Sequence, residues 1–156
     1  MKFVIDLSVY RSAERGGVNS LKTLLAIQSR KNCIVVLSHN ASRALFNICM
    51  SENCSPQVRT WFVNMRSEKR FFCENAGTKH LYNTLQSQFD VDTWAIIKND
   101  LDNVVLALKH EDKIILFSRN FSQGCSILSR HAHPILNSIL WKDTTLPDTA
   151  NWIDEH

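Results

Sequence analysis

The sequence predicts an α/β fold, a three-layer α/β/α domain around a central, mainly parallel sheet. Short apolar runs at residues 2–6, 33–37 and 113–117 alternate with segments of helical periodicity. Parallel neighbours need crossover connections, and those crossovers cover both faces of the sheet. The runs also lack polar alternation, as strands buried on both faces do.

Each element has its own signal. The first strand, residues 2–6, ends in Asp6, with Ser8 two positions on. Residues 18–31 place Leu21, Leu24, Leu25 and Ile27 on one helical face, with Asn19 or Ser20 as the cap. The second strand stops at Ser38, and Ala41, Ala44, Leu45, Ile48 and Cys49 follow at helical intervals. Ser55-Pro56 reads as an N-cap with proline at the first helical position, opening a helix with Val58, Trp61, Phe62 and Met65 on one side and an end near Ser67. Around Phe71, Phe72 and Cys73 a short strand and a loop of buried aromatics fit equally. Leu81, Leu85 and Phe89 align a helix over residues 78–89. A further helix runs from Asp100 to His110, a polar turn follows at Glu111-Asp112, and the next strand covers 113–117. Beyond it, Pro134, Pro147 and scattered Asp and Thr predict loops with one short helix or strand.

The 156 residues, 44% of them hydrophobic, suffice for one domain with a real core, and only 4 Gly and 3 Pro leave little room for linkers. The apolar runs are far shorter than the roughly 20 residues that span a bilayer. No secretory pattern opens the chain, so a cytoplasmic location is expected. Five cysteines, odd in number and without a CxxC pair, read as reduced thiols. A net charge of +3 says little about partners.

The chemistry gathers at strand and helix ends. Asp6 closes the first strand, at the edge where open α/β sheets build sites. Asp100 and Asp102 open the helix before the 113–117 strand, which itself ends in Ser118-Arg119-Asn120-Phe121. Carboxylates are hard ligands that suit Mg²⁺ or Mn²⁺ better than zinc and, with a bound ion, would activate water against a phosphoryl group. Capping explains the same residues: Asp6 for the turn after it, Asp100 or Asp102 for a helix starting at Asn103.

Three segments, in order, resemble the landmarks of the PIN domain, a nuclease fold. Val4-Ile5-Asp6-Leu7-Ser8-Val9 is similar to its opening strand ending in Asp-x-Asn/Ser. Asp102-Asn103-Val104-Val105-Leu106-Ala107-Leu108 resembles its Asp followed by an apolar helix. Ser118-Arg119-Asn120-Phe121 resembles the Thr-x-Asp or Ser-x-Asn at the end of its fourth strand. The resemblance implies a PIN-like fold and a metal-dependent ribonuclease using Mg²⁺ or Mn²⁺, with RNA as substrate. It also implies a toxin of a toxin-antitoxin pair, with an antitoxin protein as partner, and a homodimer. By position, Asp6 and Asp102 would be metal ligands, joined by Asp100 if it turns inward. Asn120 would stand in for the fourth acid, and Ser8 and Ser118 would be supporting hydroxyls. The family's second acid, expected near Ala44, is missing; Glu14, Glu52, Glu68 or Glu74 would have to replace it, and Arg43 beside that place would oppose a cation. The alternative is a catalytically degenerate PIN-like module that binds RNA or protein. A CheY-like signalling domain lacks support, since neither paired acids after strand one nor a late lysine is found.

Lesser signals remain open. Arg59, Arg66, Lys69 and Arg70, with Arg43, would grip an RNA backbone, or form an ordinary solvated face. Trp61, Phe62, Phe71 and Phe72 would stack bases only if exposed, with core packing as the plainer reading. His131-Ala132-His133 resembles a ligand pair but reads better as a surface loop before Pro134. His39 reads as a solvated loop residue near the site.

Overall fold

Alternate residues of the central strands face opposite ways and build two separate cores in the computed structural model, which describes residues 1–156. Phe3 and Ile5 of β1 (Lys2–Ile5), Val35 and Leu37 of β2 (Ile34–Ser38), and Ile114 and Leu116 of β4 (Ile114–Phe117) point into the larger core. Val4, Val36 and Ile115 point into the smaller one. This period-two division is what a sheet covered on both faces requires. The larger core is covered by α1 (Leu7–Glu14), α2 (Val18–Ser29), α3 (His39–Met50), α4 (Pro56–Ser67) and, past the last strand, α10 (Asp148–Glu155). The smaller is covered by α5 (Lys79–Leu85), α6 (Val91–Ile97), α7 (Leu101–Leu108), α8 (Gln123–Arg130) and α9 (Pro134–Asn137).

With β3 (Phe71–Glu74) and β5 (Leu140–Asp143), the five strands pair in the order β3-β2-β1-β4-β5, all parallel. The molecule is thus a three-layer α/β/α fold, as the alternating pattern predicted. In this order the chain winds outward from β1 through β2 to β3, then returns to place β4 on the other side of β1. The crevice outside the carboxyl ends of β1 and β4 is therefore a topological switch point, where such sheets place ligands. No helix is long and apolar enough to cross a membrane.

Several local signals take effect as read. Ser38 Oγ accepts from Ala41 N to cap α3, and Ser55 Oγ accepts from Val58 N with Pro56 at the first helical position of α4. The ambiguous aromatic segment is β3, which pairs with β2 from Val35↔Phe71 to Ser38↔Glu74. The helix aligned by Leu81 and Leu85 ends in a 3-10 turn at Gln86–Gln88.

Other expectations are corrected. The chain forms α1 directly after Asp6, where no helix was foreseen. Asp6 is its N-cap, accepting from Ser8 N at 3.0 Å. Neither Asn19 nor Ser20 caps α2: Gly17 does, and Ser20 is buried, bonded to Ser12 at 2.9 Å and Thr144 at 2.8 Å. The region after β4, expected as loops with one short helix or strand, holds α8, α9, β5 and α10. Their signals are weak because α8 reads QGCSILSR, poor in helix formers. It is held instead by the Ser122 cap and the buried Cys125 and Leu128.

Arg70 corrects the expectation of an RNA-gripping side chain. It is 4% exposed and turns inward, donating to the carbonyls of Ile27, Gln28, Arg30 and Cys33. A helix leaves its last carbonyls unpaired, and here a guanidinium from a neighbouring segment satisfies those ending α2.

Candidate metal centre

At the switch point lies a cleft of about 500 Å³ into which three elements deliver carboxylates. Asp6 leaves the end of β1. Asp100 ends the 3-10 turn Lys98–Asp100, and Asp102 sits in the first turn of α7. All three line the cleft.

Asp6 is buried and fixed from two sides. Its Oδ1 accepts from Asn103 Nδ2 at 2.8 Å while its Oδ2 accepts from Ser8 N. Each oxygen keeps a lone pair for a further partner. Ser8 Oγ, in turn, accepts from Ser118 N at 3.0 Å and ties the end of β4 to the start of α1. Ser8 thus supports the site as a strut. Ser118 is fully buried and its own hydroxyl has no partner.

The pairing around Asp6 differs from the expected one. One ligand atom each from Asp6, Asp100 and Cys125 lies within 4.8 Å of the others, and Asp102 is outside this trio. Burial pushes the Asp100 carboxyl up to about 7, with the negative charge of Asp6 adding to the effect. Burial raises that of Asp102. The Cys125 thiol is raised well above its usual range, first by burial and then by Asp6 and Asp100. Asp100 is half-buried, yet no hydrogen bond from the protein opposes this rise. Its closeness to α8 depends on Gly124: a Cβ there would stand 1.8 Å from Asp100 Oδ2. Asp100 does not cap α7 with its side chain, which removes the capping explanation for that residue.

Asn120 does not join Asp6. The amides of Phe121 and Ser122 both turn back onto Ser118 O, at 3.1 and 2.8 Å. That tight turn leaves Asn120 exposed in a neighbouring depression with Arg119, Gln123 and Arg130, and its expected place is taken by Cys125.

Ala41 and Ala44 line the cleft where the second acid was expected, and no replacement arrives. Glu68 is paired with Lys31 and Arg70, Glu74 with His110, and neither Glu14 nor Glu52 lines the cleft. Arg43 is exposed and points to a separate groove with Arg66, Phe46 and Phe62, so it does not oppose a cation. His39 lines that groove as well. The His131 ring packs tilted against that of Phe89, centroids 4.2 Å apart, and His133 caps α9, so they form no ligand pair.

Of the basic side chains weighed for RNA, Arg59 joins Arg70 in a structural role, and of the aromatics Phe72 is exposed. Arg59 donates to Cys49 O and Ser51 O, which closes the loop between α3 and α4. Trp61 and Phe62 are buried, while Arg66 and Lys69 are exposed. The cleft instead has a basic rim that the sequence reading missed. Arg11 lines it from α1, and Arg15 lies 5.6 Å from the ring of the exposed Phe121, which also lines it. Arg11 stands five residues after Asp6, so the unforeseen α1 concealed it.

The donor set suits a divalent cation. Two carboxylates converge, Asp100 has no competing hydrogen bond, and Gly124 leaves the space a Cβ would fill. Compared with family models, curated proteins and solved structures, the chain matches none.

Proposed function

We propose that the chain is a metal-dependent ribonuclease of PIN type. The observation that carries this reading is the convergence of Asp6 and Asp100, with Asp102 in the same cleft, at the switch point of a β3-β2-β1-β4-β5 parallel sheet. The residues that would hold Mg²⁺ or Mn²⁺ are Asp6 and Asp100, with Asp102 as the further oxygen donor. A bound ion supplies Lewis acidity and an activated water for phosphodiester hydrolysis. Ser8 N and Asn103 Nδ2 keep Asp6 aimed into the cleft. Arg11 offers a phosphate contact, and Phe121 offers a face on which a base would stack.

In a toxin-antitoxin pair the chain would be the toxin, held in check by an antitoxin protein, and it would pair as a homodimer. These partners rest on the PIN resemblance. A second reading, a catalytically degenerate module that binds RNA or protein, is favoured by Ala41 and Ala44 lining the cleft in place of an acid.

The test is incubation of single-stranded RNA with Mn²⁺ and wild-type protein, Asp6→Asn or Asp100→Asn. Cleavage by the wild type and its loss in both variants is expected. Equal cleavage by all three would defeat the proposal, and RNA binding without cleavage would leave the second reading.

A further inference from the structure

We propose that Cys125 is a sulfur ligand of the ion in this cleft, so that the site takes a borderline cation such as Zn²⁺ or Co²⁺ in preference to Mg²⁺. The inference deepens the reading of the cleft as a metal centre and rests on it.

Geometry is the first support. The ligand atoms of Asp6, Asp100 and Cys125 all lie within 4.8 Å of one another. A tetrahedral ion, bonded at about 2.0–2.2 Å to oxygen and about 2.3 Å to sulfur, holds its ligands roughly 3.6 Å apart. A small inward movement of the trio meets that spacing, and Asp100 carries no protein hydrogen bond that would resist it.

The second support is how the thiol is placed. Cys125 is fully buried in the first turn of α8, where its amide donates to Ser122 Oγ at 3.1 Å. Buried free cysteines ordinarily serve as small apolar side chains. The sulfur of this one lies instead within 4.8 Å of an oxygen from each of two carboxylates, one of which, Asp100, occupies the space that a Cβ on Gly124 would fill.

Donor chemistry then decides the ion. Mg²⁺ demands oxygen ligands in near-ideal octahedral geometry, whereas a thiolate with two carboxylates suits zinc or cobalt(II) in four coordination. Three anionic donors also compensate for the carboxylate missing at Ala44.

The experiment titrates Co²⁺ into metal-free protein and follows the thiolate-to-cobalt charge-transfer absorption. Expected are one equivalent of Co²⁺ per chain, a charge-transfer band, and loss of that band in Cys125→Ser with Co²⁺ affinity weakened by about tenfold or more. X-ray absorption of the wild-type complex, which needs no variant, should find one sulfur at about 2.3 Å. Absence of Co²⁺ binding, an all-oxygen cobalt shell, or a band that survives in Cys125→Ser would overturn the proposal. The ribonuclease reading fails separately: a charge-transfer band without RNA cleavage under any of these metals removes that reading alone. Cleavage with Mg²⁺ and no sulfur in the cobalt shell removes Cys125 alone.

Discussion

Replacing Asp100 by Asn should stabilise the metal-free protein, and only above mildly acidic pH. In the folded protein the carboxyl ionises at about 7, against 3.8 when unperturbed. Between these values the folded state holds one proton more than the unfolded state, so stability falls as pH rises from about 4 to about 7 and is level above about 8. At about 1.36 kcal/mol per pH unit, the full effect is roughly 4 kcal/mol. Water reaching Asp100 through the open cleft lowers the expected gain to about 2–3 kcal/mol. Asn has nearly the shape of the protonated acid and carries no charge, so wild type and variant should be about equal at pH 4–5 and diverge by this amount at pH 8. The assay is urea unfolding of both proteins in chelator at several pH values, comparing midpoints at constant slope. Equal midpoints at pH 8, or a variant less stable there, would refute burial and the Asp6 charge as the causes. A saturating divalent ion should reverse the order, because it stabilises only the protein whose carboxylate binds it.

Gly124→Ala forces a Cβ to within 1.8 Å of Asp100 Oδ2 and 3.2 Å of Ile96 O, so it should cost about 1–3 kcal/mol by thermal unfolding and weaken metal binding in calorimetry. Arg70→Met strips the carbonyls of Ile27, Gln28, Arg30 and Cys33 of their donor and should cost about 3 kcal/mol or more in urea. Arg70→Lys should recover little of that, since one ammonium does not reproduce the guanidinium fork. Tyr10 is fully buried with its hydroxyl unpartnered, so Tyr10→Phe should raise stability by about 1 kcal/mol. A destabilised Tyr10→Phe variant would show that the hydroxyl has a partner after all.

The sequence by itself determined the parts whose physics is local. The apolar runs ending at Asp6 and Ser38 and the Ser55-Pro56 helix start announce an alternating α/β pattern with Asp6 at the carboxyl edge of its sheet. Periodicity and capping act over a few residues, so a linear reading sees them. The α8 segment is different, since its stability comes from burying Cys125 and Leu128 and not from helix propensity. Only the tertiary structure decided that Arg70 satisfies α2 carbonyls 40 or more positions earlier, and that Asp6 meets Asp100 and Cys125 in place of Asn120. Side chains about a hundred residues apart become neighbours only because β4 returns beside β1 and the turn at Ser118 aims α8 into the cleft. Charge and hydropathy mark a residue as polar or apolar, but the partner that sets its role is supplied by the packing of the whole chain.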